Sequence, residues 1–189
     1  MANLITAIVG LCGTGKSAAA QYIQTTYGFI PIYFGGFVLE ELKQRNLEIT
    51  SINEKQVRED LRREHGLDVI AKRAFNRIES ALAGGANVII DGLYSFSEYL
   101  YLKEKFGRQL ILLAIHSPKK LRYHRLGLRE IRPLTPAEVD ERDLTEIKNI
   151  EKAGPIAVAD YHIINDKGMG ELYAHIDTVM SEISTPANN

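Results

Sequence analysis

The chain has 189 residues, 45% of them apolar, which is enough for one domain with a sizeable core and too few for two. Its 23 basic and 24 acidic side chains leave a formal charge of −1, which excludes a nucleic-acid binder held by bulk positive charge and an acidic solvating tail. A single cysteine, Cys12, excludes an internal disulfide framework and suits a reducing compartment.

Short apolar runs alternate with longer amphipathic stretches along the whole chain. Leu4–Val9 reads as a first strand, followed by the helix Ser17–Tyr27, which Gly28 ends as a C′ glycine. Phe29–Tyr33 is a second strand. The long interval after it carries helical patterns at Glu54–His65 and Leu67–Ala83 but no strand, which predicts a helical lobe over about 35–83. Asn87–Asp91 is a third strand, then come the helix Phe96–Phe106, the strand Gln109–Ile115 and the helices Pro118–Ile131 and Pro136–Lys152. Thr135-Pro136-Ala137-Glu138 marks the start of the last of these with a cap, an N1 proline and a capping-box glutamate. Tyr161–Ile164 is a final strand and Glu171–Ile183 a final helix. Strands apolar on both faces, separated by helices, predict a three-layer α/β domain with right-handed crossovers.

The opening MANLITAIVGL lacks the positive flank and cleavage site of a signal peptide. No window reaches the roughly 18 apolar residues of a membrane span. A cytoplasmic protein with no membrane or nucleic-acid partner is expected.

The informative segment is Gly10-Leu11-Cys12-Gly13-Thr14-Gly15-Lys16-Ser17, which matches G-x-x-x-x-G-K-[ST], the P-loop. It sits directly after an apolar run and opens an amphipathic helix, the context the motif demands. Its glycines let backbone N–H groups turn inward to phosphate oxygens, and the helix adds its positive N-terminal end. This assigns ATP to Gly10, Cys12, Gly13, Thr14, Gly15, Lys16, Ser17 and Ala18. Lys16 would reach the β- and γ-phosphates and Ser17 would ligate Mg²⁺. Cys12 reads as a small residue filling a tight loop rather than as a redox switch.

Asp91 ends the third strand, where a carboxylate near a P-loop holds Mg²⁺ or its waters, or takes a hydroxyl proton. An aspartate that merely begins a turn before Gly92 has the same pattern. Arg122, Arg125, Arg129 and Arg132 recur at helical spacing, which predicts one cationic face able to close over a transferring phosphoryl. The alternative is a solvated basic face paired with the acidic segment Glu138 to Glu146. His116, His124, His162 and His175 show no metal-ligand spacing.

Together with LDVIAKR, IIDGLYS, AIHSPKKLRYHRL, Arg142-Asp143 and ADYHIIND, these features resemble the adenylate kinase and dephospho-CoA kinase group over roughly residues 4 to 183. More closely, the chain resembles the small P-loop nucleotide kinases labelled adenylate kinase-like or dephospho-CoA kinase-like. The resemblance implies a P-loop NTPase fold with a five-stranded parallel sheet in the order 2-3-1-4-5. It implies a core over 1–34, 84–118 and 136–184, an acceptor-binding lobe over about 35–83 and a lid over about 119–135. The loop from Asn165 to Gly168 would lie against the adenine, adding Asn165 and Arg125 to the nucleotide site.

Two departures mark the acceptor half. Where relatives carry an acid and an acceptor-gripping arginine after the second strand, this chain has Tyr33-Phe34-Gly35-Gly36-Phe37-Val38-Leu39. Where they place an arginine soon after Asp-Gly, it has Tyr94. The expected activity is transfer of the γ-phosphoryl of Mg-ATP to a small nucleotide-like acceptor by a monomer or homodimer. Lys16, Asp91, Arg125, Arg129 and Arg132 would be the catalytic set, with Ser17 and Asp91 on the metal. The rivals are a dephospho-CoA kinase-like activity and a slow-ATPase nucleotide-binding regulator. A GTPase is disfavoured, because no Asn-Lys-x-Asp string occurs.

Overall fold

The computed structural model describes residues 3–131 and 133–184. Five parallel strands form one sheet: β1 (Ile5–Val9), β2 (Ile30–Tyr33), β3 (Val88–Asp91), β4 (Leu110–His116) and β5 (Tyr161–Ile164), in the order β2-β3-β1-β4-β5. All five strands and their order match the expectation. The strands read as continuous apolar runs because successive side chains enter two different cores. Ile5, Ala7 and Val9 face one core with Val88, Ile90, Leu112 and Ala114. Ile8, Ile89, Leu113 and Ile115 face the other.

Helices α1 (Lys16–Tyr27) and α9 (Met169–Ser184) cover the second face. Between β2 and β3 lie α2 (Phe34–Gln44), α3 (Ser51–His65) and α4 (Val69–Ala83), packed on the first face together with α5 (Phe96–Phe106). The sequence gives no sign of α2, because it opens on Phe34-Gly35-Gly36 and two glycines cost helix propensity. Burial overrides that cost: Phe34, Phe37, Val38 and Leu42 all enter the core. The Gly35-Gly36 pair is therefore the first turn of a helix rather than a strand-end loop.

On the other side of β1, α6 (Lys119–Gly127) follows β4, and α7 (Pro136–Ile150) and the short α8 (Ala153–Ala157) lead to β5. The capping box of Thr135 and Glu138 opens α7 as expected. Helix α6 corrects the sequence reading. It ends at Gly127 instead of Ile131, and the chain turns back so that the Leu134 N–H donates to the Leu126 carbonyl at 3.1 Å. Gly127 and the proline at 133, which disfavours helix before it, account for the early stop. The four arginines consequently do not share one helical face: Arg129 lies two residues past the helix and is exposed, and Arg132 lies outside the described residues.

Candidate nucleotide and acceptor site

The loop from Gly10 to Gly15 emerges from the C-terminal end of β1, between β3 and β4, where the chain's crossovers diverge and an α/β sheet leaves a crevice. Two of its glycines are dictated by close approach. A Cβ on Gly10 would lie 2.4 Å from the Ile115 carbonyl oxygen. Gly15 has φ +98° and a Cβ there would lie 2.5 Å from Asn165 Nδ2. Gly15 caps α1 without any side-chain bond, and the first turn of α1 holds no acid, so its N–H groups remain available to an anion.

The loop's carbonyls are tied back by other segments. Arg122 Nη1 donates to Cys12 O at 3.0 Å and Asn165 Nδ2 to Thr14 O at 2.9 Å. Lys16 Nζ and Thr14 Oγ1 both donate to Leu11 O, at 2.8 and 3.0 Å. With the Cys12 and Thr14 oxygens taken up by Arg122 and Asn165, the loop N–H groups are left to face phosphate. Arg122 is fixed in turn by a two-pronged pair with Asp143, so it is a framework residue of the loop. Cys12 packs against Leu126 and Val139, as a small space-filling residue would.

Arg125 reaches the same loop from one helical turn on. Its Nη1 donates to Ser117 Oγ at 2.9 Å and to Asn165 O at 3.2 Å, and its Nη2 donates to Asn165 Oδ1 at 3.2 Å. The structure thus brings Arg125 and Asn165 together with the P-loop, while Arg129 stands apart in solvent.

Asp91 ends β3 in register with Ile8 of β1, and its side chain lines one cavity with Ser17. Burial raises its pKa above the ordinary aspartate value, with the Ser17 hydroxyl and the Lys16 charge opposing. Ser17 and Asp91 supply two adjacent oxygen donors. That set fits Mg²⁺, which takes one or two protein oxygens, keeps several waters and shares phosphate oxygens. Among the described residues no group of three or more ligating side chains forms an all-protein metal cage.

Lys16 is held down to about 8 by burial first and by the neighbouring Lys152 second. Sequence reasoning missed this second lysine, which it gave only as the last residue of the helix Pro136–Lys152. Lys152 is instead 1% exposed, paired with Glu146, its Nζ lying 4.7 Å over the Tyr94 ring. Glu146 also accepts from Arg142 Nε at 2.9 Å. Burial pushes Glu146 up, but the Lys152 and Arg142 cations more than offset it and hold its pKa at about 2. Only the tertiary fold brings Lys152 beside the loop, so no local pattern announces it.

Two cavities meet at Tyr33, which follows the register of Asp91 on the neighbouring strand. One, lined by Ser17, Asp91 and Gln21, lies on the α1 side. The other, of about 170 Å³, lies in the helical lobe, where Arg58, Arg62 and Tyr94 line it. Of the positions that depart from the kinase pattern, Phe34, Leu39 and Tyr94 line this second cavity and Gly36 does not.

The chain is 32% identical over 183 residues to a UPF0200 protein of Thermococcus kodakarensis, covering 95% of this chain and 98% of that one. It is 34% identical over 186 residues to a UPF0200 protein of Hyperthermus butylicus, covering 96% of each. Among solved structures, a shikimate kinase from Bacteroides thetaiotaomicron superposes with a TM-score of 0.61 at 12% identity, over 96% of this chain and 99% of that one. A gluconokinase from Sinorhizobium meliloti superposes with a TM-score of 0.57 at 14% identity, over 97% and 94%. At such identities the likeness is one of fold, the five-stranded parallel sheet of P-loop kinases. A family model described as an AAA domain matches residues 7–152. The chain therefore belongs to the UPF0200 family and, through residues 7–152, to the AAA-domain family of P-loop proteins.

Proposed function

We propose that the chain is a Mg-ATP-dependent phosphotransferase that moves the γ-phosphoryl to a small, nucleotide-like acceptor. The observation that carries this reading is the pair of cavities meeting at Tyr33, one lined by Ser17 and Asp91 and the other by the lobe arginines. A nucleotide-sensing module needs only the first of them.

In this reading the loop N–H groups and Lys16 hold the β- and γ-phosphates. A γ-phosphate oxygen takes the place of Leu11 O at the Lys16 ammonium. Lys152, kept in place by Glu146, adds positive charge beside Lys16. Arg125 positions the nucleotide through Ser117 and Asn165, and Arg129 and Arg132 belong to the lid that closes over it. An acceptor oxygen attacks the γ-phosphorus, the bond to the β–γ bridging oxygen breaks, and ADP departs with that electron pair. Where the acceptor atom is a hydroxyl oxygen, Asp91 takes its proton. Ser17 and Asp91 would hold Mg²⁺, which when bound neutralises charge on the β- and γ-oxygens. The single cysteine supports a cytoplasmic, reducing setting.

The test is ATP consumption with Mg²⁺ against nucleosides, nucleoside monophosphates, dephospho-CoA and hydroxy acids, with Lys16→Ala as the blank. Strong stimulation by one acceptor establishes the transferase. Tight ATP binding with slow hydrolysis and no stimulation favours the regulator, the reading that the absent acid and arginine after β2 support.

A further inference from the structure

The lobe cavity has a charge arrangement that packing alone does not require. Arg62 projects from α3 with its side chain only 10% exposed, and it makes no hydrogen bond among the described residues. Its one ionic neighbour is Glu98, 3.9 Å away, beyond hydrogen-bond reach. Glu98 Oε2 accepts from the backbone N–H groups of Tyr94 and Ser95 at 2.7 and 3.0 Å, while its Oε1, the oxygen facing Arg62, is buried without a hydrogen bond, like Arg62 Nε. Buried guanidinium nitrogens without partners are rare, because each lost hydrogen bond to a charged group is costly. One turn back on the same helix, Arg58 lines the same cavity, partly buried and without an ion pair among the described residues. Arg58 and Arg62 bring two guanidinium groups to this wall, with Glu54 lining the same cavity and Glu98 behind Arg62.

Phe34, Val38, Leu39 and Ile70 supply an apolar floor. Tyr33 and Tyr94 add aromatic walls. The volume, about 170 Å³, is close to that of a cavity that admits one benzene ring, about 150 Å³. A guanidinium pair at one end of a ring-sized apolar space suits a compact molecule bearing one oxyanion.

We propose that this cavity is an oxyanion-recognition site for a compact acceptor of about one ring's size, whose carboxylate or phosphate lies between Arg58 and Arg62. It rests on the phosphotransferase reading only in calling the occupant an acceptor. A nucleoside monophosphate would place its phosphate and sugar inside and leave its base outside. Helix α3 thereby supplies, from a different place in the chain, the positive charge missing after β2 and at Tyr94.

Calorimetric titration at saturating Mg²⁺ and a non-hydrolysable ATP analogue tests this, because the P-loop is then filled. The probes are ribose 5-phosphate against ribose and gluconate against glucose. The expected result is one-to-one binding of at least one oxyanion and none of its neutral partner. Arg58→Gln and Arg62→Lys should each weaken that binding at least ten-fold. Arg58 carries no structural bond, so its variant reports binding even if changes at Arg62 disturb folding. Binding of the phosphate alone, or of the carboxylate alone, identifies the oxyanion. The proposal is overturned if neither oxyanion binds or if both arginine variants bind like wild type. Failure of the phosphotransferase reading would look different: oxyanion binding intact and no phosphoryl transferred.

Discussion

Arg122 and Asp143 meet through two hydrogen bonds, Nη1 to Oδ1 at 3.1 Å and Nη2 to Oδ2 at 2.5 Å, with side chains only 5% and 11% exposed. The same guanidinium holds the Cys12 carbonyl of the phosphate loop. Removing one member of such a pair strands a buried charge. Asp143→Ala should therefore lower the unfolding free energy by about 3 to 5 kcal/mol in urea titrations. Nucleotide affinity should fall as well, since the loop loses an anchor.

Lys16 sits in the loop with a pKa of about 8, against 10.5 for a free lysine. Below pH 8 both folded and unfolded chains carry this proton, and the folded state bears the full cost of a buried charge. Between pH 8 and 10.5 the unfolded state binds more protons, so stability rises with pH across that window. Lys16→Met should thus raise stability at pH 7 by up to about 3 kcal/mol, less the bond to Leu11 O, and the gain should vanish above pH 10.5. In the same protein, phosphoryl transfer should drop about a hundred- to a thousand-fold.

Glu146 shows the opposite sign. Its pKa is depressed to about 2 from 4.5, so its contribution is complete above pH 4.5 and is lost as pH falls towards 2. Acid titration of stability should show a steeper loss over that window for wild type than for Glu146→Gln. At pH 7 the variant should be less stable, because Lys152 and Arg142 lose their shared partner.

Asp91 has its pKa raised by burial, so in the metal-free protein its carboxyl should titrate above the ordinary aspartate range by NMR, and added Mg²⁺ should lower it. Asp91→Asn should reduce turnover at least a hundred-fold while ATP binding without Mg²⁺ stays within a few-fold of wild type. Equal metal dependence in the variant would remove Asp91 from the metal.

The sheet was legible because β1, β3 and β4 are apolar on both faces, a pattern that survives without any knowledge of their neighbours. The phosphate loop was legible because its chemistry is local, eight consecutive residues at fixed spacing. Helix α2 was hidden by Gly35 and Gly36, whose propensity cost is met by burial that only the assembled lobe provides. The arginine face was over-extended because periodicity continued past Gly127, where the backbone turned instead. Lys152 was missed because a charged residue on a helical stretch reads as solvated until the fold shows what covers it, whereas Arg62 was legible only as one of several basic residues of the lobe.

The bonds that hold the phosphate loop also fix the order in which the site comes into being. Cys12 O waits for Arg122, 110 residues later, and Thr14 O for Asn165, 151 residues later. During synthesis the strand and helix that flank the loop emerge first, yet the Cys12 and Thr14 carbonyls lack these partners until most of the chain is out. A ribosome-bound fragment ending before β5 should fail to retain nucleotide even though it contains the complete motif. Nucleotide capture is thus a property of the finished chain, and a ligand present during refolding will favour the last docking step rather than the first collapse.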